Sequence, residues 1–118
     1  MLDTKQLKTL VVDAIEEMKG NDIHVIDVSV KSSFTDNMVI ASGTSTRHVK
    51  SISENVAMKA KKAGMHPLGV EGEQMGDWVL VDLGDVVVHV MLPDVRDFYG
   101  LEKLWSVSPG DRAGSGES

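Results

Sequence analysis

Leu7, Leu10, Val11, Ala14, Ile15 and Met18 recur every three or four positions. That spacing lines one side of a helix and predicts one over residues 4–19. Asp3 followed by Gln6 suits a capping box at its start, and Gly20-Asn21 stops it. "IHVIDVSV", 23–30, is β-branched and roughly alternating, which predicts a strand with Ile26, Val28 and Val30 on one face. After the polar loop "KSSFTDN", the short apolar run "MVIAS", 38–42, reads as a buried strand. A second helix is entered at Gly43 to Thr46, with Val49, Ile52, Val56, Ala60 and Ala63 on its inner side and Gly64 as its C-cap. Pro67 closes a turn, and "LGVEG" makes a brief strand.

The stretch 78–91, "WVLVDLGDVVVHVM", predicts a hairpin residue by residue. With Gly84-Asp85 as a two-residue type II′ loop, Leu83 opposes Val86, Val81 opposes Val88 and Val79 opposes Val90. All six are aliphatic and share one dry face. The other face pairs Asp82 with Val87, Leu80 with His89, and Trp78 with Met91, and is mixed in character. Pro93 then suits the first turn of a last helix. Val95, Phe98, Leu101, Leu104 and Trp105 are its anchors, and Gly100 weakens or bends it. Phe98 and Leu101 read as core, while Tyr99 and Trp105 fit either core or surface. "SVSPGDRAGSGES" is almost without apolar residues, so residues 107–118 are expected to be a disordered tail.

The order helix, two strands, helix, three strands, helix predicts an α/β domain over residues 1–106. Its core is a mixed sheet of about five strands with flanking helices. A length of 118 residues fits one domain and no internal repeat is present. The absence of cysteine excludes disulfides and thiolate chemistry. The N-terminus lacks the apolar run of a signal peptide, and no stretch approaches a membrane span of roughly 20 residues; a cytoplasmic protein is expected. Twelve Lys and Arg against 18 Asp and Glu give a net charge of −6. Such a domain is poorly suited to gripping nucleic-acid phosphates and better suited to a basic protein. Lys59, Lys61 and Lys62 cluster where they complement a helix C-terminus.

Several patterns bear on chemistry. Gly43 to Arg47 could receive a phosphate at a helix start, or Thr44 or Ser45 simply caps the helix while Gly43 makes the turn. P-loop and dinucleotide-binding glycine spacings are missing. Glu71 and Glu73 alternate onto one strand face. With Asp36 or Asp82 they could hold the metal of a nucleotidyltransferase beside the Gly43 turn. His24, His48, His66 and His89 are scattered and show no metal-ligand spacing. The mixed hairpin face is the more informative. Trp78, Leu80 and Met91 form an apolar centre with Glu71, Glu73, Asp77, Asp82 and Asp85 around it, the pattern of a site for a basic protein. The competing reading is that a helix covers this face and Trp78 is core.

Four segments in order, "KSSFTDNMVIASGTSTRHVKSI", "GVEG", "DWVLVDLGDVVVHVM" and "FYGLEKLW", together resemble the ribosomal silencing factor, or Iojap, family. The resemblance spans about residues 5–106. It implies a nucleotidyltransferase-like α/β fold with no established nucleotidyl transfer and no cofactor. It also implies a partner: the large ribosomal subunit, contacted through a basic ribosomal protein on the face that meets the small subunit. Occupancy there blocks subunit joining and represses translation. On this reading Trp78, Leu80 and Met91 are apolar anchors, and Glu71, Asp77, Asp82 and Asp85 pair with Lys or Arg. Tyr99 and Lys103 contribute from the last helix. The rival expectations are a nucleotidyltransferase using the Gly43 turn with Glu71 and Glu73, and a homodimer that buries Trp78.

Overall fold

In the computed structural model, residues 2–30, 32–33 and 35–106 are described, the last three by their backbone alone. The expected tail, 107–118, and the side chain of Trp105 lie outside the described residues. Helix α1 runs over Thr4–Glu17 and opens on the capping box, with Asp3 accepting from the Gln6 N–H at 2.7 Å and Gln6 accepting from the Asp3 N–H at 3.0 Å. Its end differs from expectation. The left-handed position falls on Lys19, with φ 61°, not on Gly20. The Lys19 and Gly20 N–H groups bond back to the Glu16 and Ile15 carbonyls, closing a Schellman motif with a lysine where glycine is usual. Gly20 is needed for another reason: a Cβ there would lie 2.3 Å from Ile15 Cγ2.

Strand β1, Asn21–Asp27, forms one edge of the sheet, and β2, Asn37–Ser42, is buried along its whole length. The predicted stripe of Ile26, Val28 and Val30 ends at Val28, and Val30 is 93% exposed. The chain leaves the sheet at Asp27, whose carboxylate accepts from both the N–H and the hydroxyl of Ser29. Helix α2, Thr46–Lys62, is capped by Ser45, which accepts from the His48 N–H at 3.1 Å. It ends in a second Schellman motif, here with Gly64 at φ 92°. Its inward residues include Val49, Ile52, Val56 and Ala60, all without exposed surface.

Three strands follow: β3, Gly69–Glu71; β4, Trp78–Asp82; and β5, Val86–Met91. The hairpin forms in the predicted register, from Trp78 opposite Met91 to Asp82 opposite Val87. Gly84 has φ 87°, and the Leu83 N–H bonds the Val86 carbonyl at 2.9 Å across the loop. All six dry-face residues are at most 1% exposed. Burying side chains of this size is favourable by roughly 1.5–3 kcal/mol each before entropy is counted. A one-residue slip would turn all of them outward, which is why the register is firm.

The sheet order is β1-β2-β5-β4-β3. The β2–β5 pair is parallel and the other three pairs are antiparallel. The molecule is thus α/β, with a five-stranded mixed sheet. Helices α1 and α2 cover one face and enclose the main core of Leu7, Val11, Ile15, Val39, Ile52, Val88 and their neighbours. The last helix is two: α3, Pro93–Tyr99, and α4, Leu101–Ser106, broken at Gly100, which is left-handed (φ 59°, ψ 36°). On their side of the sheet a smaller cluster joins Val28, Met38, Ile40 and Met91, with Ile26, Trp78, Val95 and Leu101 packed against it.

Candidate functional site

Alternation along β4 and β5 puts Trp78, Leu80, Asp82, Val87, His89 and Met91 on the face turned away from α1 and α2. Register sets Glu71 beside Leu80. Helices α3 and α4 cover only part of this face. Met91 is fully buried in the smaller cluster, so its expected role as a contact residue is corrected. The parallel pairing places it next to Ser42 at the end of β2, among Met38 and Ile40, and it supports the face from beneath. Trp78 and Leu80 keep part of their surface.

The indole of Trp78 is held in one orientation. Its Nε1–H donates to His89 Nδ1 at 3.0 Å. An indole only donates, so Nδ1 is the unprotonated nitrogen of that imidazole. Burial pushes His89 down from 6.5 to about 4, which keeps the ring neutral and the acceptor available near pH 7. The Tyr99 ring lies tilted on Trp78, 4.9 Å between centroids, and Phe98 meets Tyr99 edge-on at 5.0 Å. Tyr99 is 58% and Phe98 81% exposed. Phe98 is therefore not core as expected. The chain breaks at Gly100 two residues later, and the inward positions of α3 go to Val95 and Arg96. The result is an aromatic surface running from Trp78 through Tyr99 to Phe98.

The acidic residues divide. Glu71 is exposed beside Leu80, and Asp82 is half-buried, with its carboxylate accepting from the Gly84 N–H at 2.9 Å. Asp77 precedes β4, and its carbonyl accepts from the Leu92 N–H. Asp85 does not join this group. It sits in the hairpin loop, three residues past Asp82, the last paired position of β4, and accepts from the Thr4 hydroxyl at 3.1 Å, on the α1 side. Lys103 is exposed on α4.

Sequence reasoning missed Arg96, Glu102 and Ser42. Arg96 is buried, and its Nε and Nη2 donate to the two carboxylate oxygens of Glu102 at 2.6 and 2.9 Å, while Nη1 donates to Ser42 Oγ at 2.8 Å. His24 Nδ1 stands 2.9 Å from Glu102 Oε2. Hydrogen bonding from Arg96 holds Glu102 below the usual carboxylate range. The one signal in the sequence was an arginine inside an apolar helical pattern, which demands a buried acidic partner.

The turn at Gly43 is committed internally. The Gly43 N–H bonds the Met91 carbonyl at 3.1 Å, the Thr44 N–H bonds His48 Nδ1 at 2.9 Å, and the His48 N–H bonds Ser45 Oγ. His48 Nε2 reaches the Met18 carbonyl at 2.8 Å. Three N–H groups of this stretch, those of Gly43, Thr44 and His48, thus already have acceptors within the protein, and Ser45 caps the helix. Nor do Glu71 and Glu73 share a strand face. Strand β3 ends at Glu71, the chain turns at Gly72 with φ 86°, and Glu73 lines a cleft against α2 with Lys50 and Lys61. Among the described residues no three His, Asp or Glu side chains converge to hold a metal ion.

Fold and site together define a small α/β protein whose distinguishing feature is a partly uncovered aromatic sheet face edged by carboxylates. Over residues 2–117 the sequence matches the family described as ribosomal silencing factor during starvation, and the chain belongs to that family, RsfS. It is 46% identical over 104 residues to the ribosomal silencing factor RsfS of Chromobacterium violaceum, covering 88% of this chain and 85% of that protein. An X-ray crystal structure of a Chromobacterium violaceum protein matches the fold with a TM-score of 0.87 at 46% identity, covering 88% of this chain and 87% of the other. The mouse protein named mitochondrial assembly of ribosomal large subunit protein 1 is 38% identical over 105 residues, which is 86% of this chain and 46% of that one. Among the described residues no helix is long and apolar enough to cross a membrane.

Proposed function

We propose that this protein binds the large ribosomal subunit in the cytoplasm through a basic ribosomal protein on the intersubunit face, and so prevents the small subunit from joining. Membership of the silencing-factor family supports a ribosomal role, and the mouse relative's name supports the large subunit. The observation that carries the docking reading is the Trp78–Tyr99 aromatic pair, tilted together and partly exposed on the face that Glu71 and Leu80 share, on an acidic molecule. Aromatic anchors supply contact area with little rotamer loss, and edge carboxylates select a cationic partner. Trp78, Leu80 and Tyr99 are the anchors in this reading, with Glu71, Asp77, Asp82 and Lys103 around them. The mechanism is occupancy: a folded domain on the joining face excludes the other subunit, and no covalent bond is made or broken.

Co-sedimentation with separated subunits, followed by a subunit-joining assay, tests this. The protein is expected to travel with large subunits alone and to reduce joining in proportion to its occupancy. Sedimentation with small subunits, or full occupancy without any effect on joining, would refute it.

A further inference from the structure

The aromatic surface depends on an elbow, and the elbow has its own fastening. Arg96 and Glu102 are six residues apart in sequence, and in an unbroken α-helix they would point about 120° apart around the axis and lie about 9 Å apart along it. They meet at 2.6 and 2.9 Å because the chain breaks at Gly100. The bidentate pair and the left-handed glycine therefore specify the same bend. The pair is also fixed to the sheet at two places: Arg96 Nη1 to Ser42 Oγ at the end of β2, and Glu102 Oε2 to His24 on the edge strand β1. Phe98 and Tyr99 lie between the two halves of the clasp, and Tyr99 rests on Trp78.

We infer that the Arg96–Glu102 clasp, tied to Ser42, is a positioning device that holds Tyr99 against Trp78 and so presets the aromatic face for docking. This rests on the docking reading above and deepens it. The residues of the clasp need not touch the partner. Arg96 is buried, and Glu102 spends both carboxylate oxygens on Arg96 and His24. Their effect on binding passes through the elbow they hold, whose contact with Trp78 is Tyr99. A planar guanidinium is required for this geometry, because it makes two parallel bonds to one carboxylate and a third to the serine, which a lysine ammonium cannot reproduce.

The test has two arms. The first uses free protein in a Trp105→Phe background, which leaves Trp78 as the one indole. Arg96→Lys and, separately, Glu102→Gln are expected to raise acrylamide quenching of Trp78 toward the level of Tyr99→Ala. Unchanged quenching in both folded variants would overturn the inference whatever the ribosome does. The second arm measures large-subunit affinity in a double-mutant cycle. Glu102→Gln is expected to cost roughly tenfold in affinity when Tyr99 is present, the scale of a lost charge-assisted bond, and close to nothing when Tyr99 is already alanine. Equal losses in both backgrounds would show that the clasp does not act through Tyr99. If the parent protein fails to bind large subunits at all, the docking reading falls, while the quenching arm still decides whether the clasp sets the aromatic pair.

Discussion

Replacing Gly43 with alanine tests whether the turn before α2 is packed or open. A Cβ at this position would lie 2.8 Å from Val49 Cγ2, 2.9 Å from Val49 N and 3.1 Å from Val49 Cα. Two of those three atoms are backbone and cannot swing aside. Val49 is fully buried, and its N–H is bonded to the Ser45 carbonyl at 2.9 Å. The strand side is equally fixed, through the Gly43 N–H bond to Met91. Relief thus requires the first turn of α2 to move against the main core. Overpacking of this kind costs about 1–3 kcal/mol, and contact with fixed backbone puts Gly43→Ala at the upper end. Gly43 is not left-handed, so alanine adds no backbone strain and recovers about 0.4–1 kcal/mol by restricting the unfolded chain. The net loss is about 2 kcal/mol, or roughly 8 °C in Tm for a domain of this size. Urea and thermal unfolding followed by circular dichroism measure it. Gly69→Ala is the control, since nothing lies within 4 Å of a Cβ there, and it should leave stability unchanged or slightly raised. Stability of Gly43→Ala within about 0.5 kcal/mol of the parent, the range of an ordinary surface change, would refute the packing argument and reopen the turn as a place where a ligand is received.

Trp78→Ala should weaken large-subunit binding by about 2 kcal/mol or more, as for a central aromatic anchor, while Trp78→Phe should bind at an intermediate level; full-strength binding by folded Trp78→Ala would remove the indole from the interface. His89 gives a pH dependence of known sign. Between pH 6.5 and about 4 the unfolded chain takes up a proton at this residue that the folded protein excludes. Stability therefore falls as pH drops through that window, by on the order of 3 kcal/mol. His89→Gln, which retains an acceptor for the indole, should flatten that part of the urea-unfolding profile, and an unaltered slope would show that another group carries it. Lys19→Gly should raise stability by about 0.5–1 kcal/mol, because it relieves a left-handed lysine costing about 1–2 kcal/mol while loosening the unfolded chain; a destabilised variant in chemical denaturation would contradict this.

The hairpin was legible to the residue because two signals agreed: a period of two over Val79 to Val90, and a glycine where the loop needs φ above zero. The capping box at Asp3 was legible for the same reason, being local chemistry at fixed spacing. What depended on which elements lie over which face was not. Trp78 and Met91 are direct partners across the hairpin, yet one is sealed and the other partly open. Pattern alone could not separate them, because the difference is made by β2 arriving in parallel beside β5 and bringing Met38 and Ile40. Phe98 went astray similarly. Its spacing from Val95 and Leu101 fits one continuous helix, and Gly100 breaks that continuity. The same break created the Arg96–Glu102 pair, which no periodic template contains. Glu73 was misplaced because β3 stops two residues earlier than an alternating reading of "GVEGE" assumes. The candidate site was thus half visible: Trp78, Leu80 and Glu71 by alternation, but neither the Phe98 extension nor the buried arginine behind it.

The two rims of the sheet also constrain how anything can attach. Strand β3 is three residues long, and β1, though seven, is bulged between Asn21 and His24, with Asp22 at φ 50°. Short or kinked rims make poor templates for an incoming chain, and natural proteins use both devices against fibre-like self-pairing. A companion molecule therefore gains little by extending this sheet through main-chain bonds. It must read side chains, and recognition of that kind can change its preference through a few substitutions while leaving the backbone ladder untouched.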